Sequence, residues 1–256
     1  VLAVKYLTPR DASDAMVAHY QSASVLAKAH LWVVIAAIGV AFPVISRAAT
    51  QEGDGAARLA SRLLRWTVVG LLPVVAFLAA FSERALLLVF PPDYASSAPA
   101  LSLSALAMGA LAVCFVLARA LQATGRAAAP GMGLAVTAAL QAALLVVLVP
   151  RHGIVGAAAA TLAACVVGLS AAAAVACRAF GFRVRVRRVA AAALATGAFL
   201  LVVWAFPDGR FATVAALASG CLVYGGLAWA TGLLTPDERA LLLARVPWLR
   251  PQEEPL

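Results

Sequence analysis

Apolar runs of about twenty residues, with no carboxylate in their middles, recur from one end of this chain to the other, and few folds tolerate that pattern. A transmembrane helix needs about 20 predominantly apolar residues. Cutting the sequence on that length gives whole spans over residues 14–42, 58–80, 97–123, 127–149, 153–179, 188–206 and 211–232. Val1–Leu7 reads as the last two turns of an eighth helix whose start is missing, so the chain is expected to be part of a longer protein. A soluble domain is about 45–50% apolar and about 25% charged; this chain is 64% apolar and 12% charged. Too few polar side chains remain to cover a water-soluble surface. Soluble enzymes, disordered polymers and disulfide scaffolds are excluded, and the runs do not alternate as barrel strands do. The expected fold class is all-α, a polytopic membrane helical bundle with seven full transmembrane helices and one truncated.

The breaks fall on Gly125, Pro130, Pro150, Gly153, Gly181 and Pro207, residues that interrupt helices. The first whole span is expected to stop at Pro43. A solvated loop over 44–57 holds Gln51, Glu52 and Asp54. Pro73 lies inside the next span, and Ser82–Phe90 is too short to cross. In the 153–179 span, Gly156, Ala160, Ala164, Gly168, Ala172 and Ala176 form a small-residue stripe of the kind that lets helices approach closely. After the last span, Thr235-Pro-Asp-Glu238 reads as a capping box opening a short amphipathic helix with Trp248.

The net charge of +9 is explained by topology. With loop 44–57 placed inside, the inner basic residues are Arg47, Arg58, Arg62, Arg65, Arg119, Arg126, Arg178, Arg183, Arg185, Arg187, Arg188, Arg239, Arg245 and Arg250. The outer ones are Arg10, Arg84, Arg151 and Arg210. That asymmetry alternates over every loop, as the positive-inside rule requires, and puts the C-terminus in the cytoplasm. It accounts for the basic charge without nucleic acid as a partner. Cys114, Cys165, Cys177 and Cys221 all lie in apolar runs and read as small buried hydrophobes.

No catalytic constellation is present: there is no HExxH, GxSxG or P-loop, so no enzyme activity is expected. His19, His30 and His152 lack metal-ligand spacing, and no metal or cofactor is expected. Every acid lies in a loop, a tail or a helix end. The charge inside the membrane is cationic. Lys28 falls near the middle of the 14–42 span, where an ammonium costs about 2.5–3.5 kcal/mol or more. Tyr20, Ser24 and Lys28 follow at four-residue spacing with Gln21 beside them, a stripe suited to a water-filled cavity that receives an anion such as a diphosphate. Lys5 is a second cavity candidate, and His19 and His30 are weaker ones. Arg119 and Gln122, one turn from an inner helix end, are gate or interface candidates. Gln141, alone in its span, reads as an interhelical hydrogen bond.

Four stretches carry a family resemblance. They are Val4-Lys-Tyr-Leu-Thr8 with Ala18-His-Tyr-Gln-Ser-Ala23, then Ala41-Phe-Pro-Val-Ile-Ser-Arg47, Leu87-Leu-Val-Phe-Pro-Pro-Asp-Tyr94, and Leu148-Val-Pro-Arg-His-Gly153-Ile-Val-Gly156. In order and spacing they resemble the C-terminal half of bacterial polysaccharide flippases, Wzx-like and lipid II flippase relatives, of the multidrug/oligosaccharidyl-lipid/polysaccharide exporter superfamily. The resemblance implies that residues 1–180 are second-lobe helices seven to twelve of a MATE-like fold. Residues 181–233 would be two additional helices, and 234–256 a cytoplasmic tail. It implies a flippase of the bacterial plasma membrane that moves a polyprenyl-diphosphate-linked oligosaccharide by alternating access. The implied partners are the lipid bilayer, a lipid-linked anionic saccharide and an N-terminal lobe of the same protein. Lys28 is the position onto which the family's cationic eighth-helix cavity residue carries over. The rival readings are a MATE-like exporter of drugs or small molecules, and a membrane subunit of a glycan-synthesising enzyme.

Overall fold

The structure, a computed structural model, describes Tyr6 and residues 13–49, 55–126, 128–181 and 186–233. The opening stub with Lys5, Tyr6 apart, and the tail over 234–256 lie outside the described residues. Among the described residues every regular element is helical. They are α1 (Ser13–Ala49), α2 (Gly55–Ala80), α3 (Ser82–Val89), a 3-10 turn (Pro92–Ser97), α4 (Ala98–Ala123), α5 (Ala128–Phe180), α6 (Val186–Ala205) and α7 (Arg210–Ala230). Six of these helices are long and apolar enough to cross a membrane.

α5 crosses twice. At 1.5 Å per residue a straight helix of its length would run about 80 Å, far beyond a hydrocarbon core of about 30 Å. The chain turns at Gly153, whose φ of 55° and ψ of −131° suit glycine. Gln141 Nε2 donates to Thr161 Oγ1 at 3.1 Å, the interhelical bond expected of it. Thr137 packs against Gly168, and a Cβ at Gly156 would collide with the Leu148 carbonyl. These pairs are nested about Gly153, so the two halves run antiparallel as a hairpin. The described residues therefore make seven crossings, as the apolar runs predict.

α1 differs from expectation: it passes through Pro43 and ends at Ala49. In water a proline inside a helix breaks it, at about 3 kcal/mol or more. Neighbouring helices and local adjustment absorb that loss in a membrane. Cys114 and Cys165 are buried as expected, but Cys177 and Cys221 are exposed. Both lie on the outer faces of peripheral helices, which no other described helix covers.

α4 is the central helix, packed against α5, α1 and α2. Ala100, Ala105, Ala107, Ala112, Ala118 and Ala120 are all buried along it, and their small side chains admit three neighbours at close range. The small stripe on α5 is likewise enclosed, with Ala160, Ala164 and Ala176 fully buried.

α6 and α7 pair with each other and dock on α2 through α6. Two polar ties hold them. Pro73 has no N–H to give the Val69 carbonyl four residues earlier. The Tyr224 hydroxyl of α7 donates to that carbonyl at 2.7 Å. At the other level, Arg84 of α3 pairs through Nε with Asp208 Oδ1 at 2.5 Å and donates from Nη1 to the Val203 carbonyl at 3.0 Å. Arg210 answers by donating Nε–H to the Leu87 carbonyl at 3.0 Å. Val203 and Leu87 lie in the last turns of α6 and α3, where carbonyls lack helical partners and cations are favoured. Arg84 thus caps α6, and Arg210, at the start of α7, caps α3. Tyr224→Phe is expected to lower stability by about 1–3 kcal/mol, because it leaves the Val69 carbonyl without a donor in an apolar setting. Unfolding in detergent measures this, and an unchanged midpoint would show that the tie carries no weight.

Candidate functional site

The candidate site is the face of α1 that no other described helix covers. Residues seven apart on a helix differ by only about 20° in direction. Gln21, Lys28, Ile35 and Phe42 therefore run along α1 almost in one line. Gln21 and Lys28 are exposed, whereas Ile35 and Phe42 are half-buried.

Farther along the line it becomes a groove. A cavity of about 420 Å³ is lined by Ile35, Ile38, Gly39 and Phe42 of α1 and by Phe115 and Arg119 of α4. Gly39 lies eleven residues beyond Lys28, about 16 Å along the axis and about 20° around it. It leaves open space where a side chain would stand. Pro43, four residues on, has no N–H for the Gly39 carbonyl. Arg119 Nη1 donates to Gln122 Oε1 at 3.1 Å, one of five donors on that guanidinium. A polar strip with a central ammonium thus leads into an apolar groove that ends in a guanidinium. An elongated amphipathic anion matches such an arrangement.

The structure separates the four-residue stripe. Tyr20 packs against the core and Ser24 is buried, while Lys28 and Gln21 face outward. Two steps of four residues rotate about 80°, enough to carry Lys28 off the face of Tyr20. Tyr20 and Ser24 stand behind the outward line rather than on it. Gly39 and Phe42 escaped the sequence reading; the signal for Phe42 was the seven-residue series that continues from Lys28, and for Gly39 the eleven-residue step that returns to the same face.

His19 ties α1 to the 3-10 turn. Its Nδ1 lies 3.2 Å from Ser97 Oγ and 3.4 Å from Ser96 Oγ, and its ring meets Tyr94 at 5.1 Å between centroids. Its role is to fix the helix entry. His30 is buried at 6% exposure, and neither ring nitrogen has a hydrogen-bond partner. His152 is exposed beside the Gly153 turn. Among the described residues, no three His, Cys, Asp or Glu side chains converge.

Residues 13–230 match the family model described as lipid II flippase MurJ. The chain belongs to this family. Its fold is also similar to a solved lipid II flippase MurJ in the inward closed conformation, with a TM-score of 0.71. That alignment covers 89% of this chain and 48% of the other at 16% identity, a likeness that speaks for the fold alone. The chain spans about half the length of that structure. Curated proteins give no match. Within the superfamily expected from the sequence, the lipid II flippase branch is the one these matches support. Membership in this family agrees with the six described helices that are long and apolar enough to cross a membrane, and together they make this a multi-pass membrane protein.

Proposed function

We propose that this chain forms one lobe of a flippase that carries a polyprenyl-diphosphate-linked saccharide across the bacterial plasma membrane by alternating access. The observation that carries the reading is Lys28. It is exposed near the middle of a membrane-spanning helix, on a face that the described helices leave uncovered. Against lipid tails an ammonium at that depth costs about 2.5–3.5 kcal/mol or more. A water-filled space shared with a second lobe removes that cost. The same space gives a diphosphate a charge-assisted partner.

In this mechanism the head group enters from the cytoplasmic side past Arg119 and Gln122. Lys28 and Gln21 hold it while the lobes rock, and it leaves on the outer side with the lipid tail still in the bilayer. The arginine asymmetry supports an orientation with the Arg119 end of α1 and α4, and the C-terminus, on the cytoplasmic side. The other half of the cavity comes from an N-terminal lobe.

The test is transport by the full protein in proteoliposomes loaded with a polyprenyl-diphosphate disaccharide. Appearance of the sugar at the opposite leaflet, read by a membrane-impermeant lectin, is the expected result. Export of organic cations with no movement of the lipid-linked sugar would replace this reading with the drug exporter. A lipid II cargo and a longer oligosaccharide cargo, run side by side, define the preferred substrate.

A further inference from the structure

A second cavity, of about 820 Å³, lies between α3, the start of α4 and the turn joining α6 to α7. Its volume falls in the range of small-molecule sites, about 300–1,000 Å³. Apolar side chains such as Phe81 and Leu88 line it, and its charged members are Glu83, Arg84, Asp208 and Arg210. Two cations and two anions give a rim with no net charge. The Arg84–Asp208 pair and the Arg84 stack on Phe81, 5.2 Å from guanidinium to ring centroid, hold the frame. Arg210 spends its Nε–H on the Leu87 carbonyl and keeps its terminal nitrogens for an incoming acceptor. Glu83 stands exposed in the first turn of α3.

We propose that this cavity binds the headgroup of an aminophospholipid of the outer leaflet, with its phosphate on Arg210 and its ammonium on Glu83. The rim lies at the bundle end opposite the arginine-rich one, which is the outer end by the positive-inside rule. A neutral rim with separated charges complements a zwitterion and gives an anionic lipid no net attraction. Glu83 accepts hydrogen bonds, so a primary ammonium with three N–H donors suits it and a quaternary ammonium with none does not. The apolar wall takes the first carbons of the acyl chains.

The experiment uses the full protein, purified and delipidated in detergent. Native mass spectrometry then follows titration with phosphatidylethanolamine, phosphatidylcholine and phosphatidylglycerol of identical chains. Phosphatidylethanolamine is expected to bind at one preferred site, about tenfold more tightly than phosphatidylcholine, the size of one charge-assisted hydrogen bond. Glu83→Gln is expected to remove that preference. Because Glu83 is exposed, this variant keeps the fold, and its circular dichroism confirms that. Arg210→Gln is expected to weaken both phosphatidylethanolamine and phosphatidylcholine. Equal or tighter binding of phosphatidylglycerol, or full phosphatidylethanolamine affinity in Glu83→Gln, overturns the proposal. Neither result depends on transport, so the flippase reading stands or falls separately.

Discussion

Lys28→Ala is expected to slow flipping by about tenfold or more, while Lys28→Arg retains more of the rate. The size follows from one charge-assisted hydrogen bond to a diphosphate, worth about 1.5–3 kcal/mol. Arginine restores the charge but presents a planar fork in place of a compact ammonium, so recovery is incomplete. A sugar-exposure assay in proteoliposomes at matched protein density reads both variants. A structural role predicts something else: alanine at an exposed site would leave stability and transport unchanged. Full activity of Lys28→Ala would remove the cavity role from the α1 face.

Gly156→Leu is expected to give the largest loss of stability, about 3 kcal/mol or more, because its side chain must enter the Leu148 carbonyl. Backbone cannot step aside as a flexible side chain can, so the hairpin of α5 has to open. Gly225→Leu is the matched control, since nothing lies within 4 Å of a Cβ there. Thermal unfolding in detergent should separate the two variants clearly. Equal midpoints would show that the two halves of α5 do not pack as closely as described.

Much of this architecture is legible in the residues. Pro150 and Gly153 mark a turn because one cannot donate to the helix ladder and the other tolerates positive φ, and the hairpin bends there. Gln141 had to find a partner inside a span, and Thr161 provides it. Pro43 misleads for a physical reason: the stop rule is learned in water, whereas a membrane bundle carries the helix six residues further. The polar stripe shows a subtler error. Spacing by four places Tyr20 and Lys28 on neighbouring but different faces, and only the burial of Ser24 reveals which face turns inward. The sequence also announces that Val69 lacks a donor, through Pro73. It does not say that Tyr224 supplies one, because a long-range partner is a property of packing rather than of local pattern.

That last bond has a consequence for the order of assembly during synthesis. The two halves of α5 meet across only 20 residues of chain at Gln141 and Thr161, so they can close as soon as both have entered the bilayer. α2 has to wait much longer. Its Val69 carbonyl is satisfied from a residue 155 positions later, and α3 receives Arg210 from 123 positions later. An early helix therefore stays incomplete until the last described one is inserted. A chain interrupted before α7 leaves that gap open for quality-control proteases to recognise.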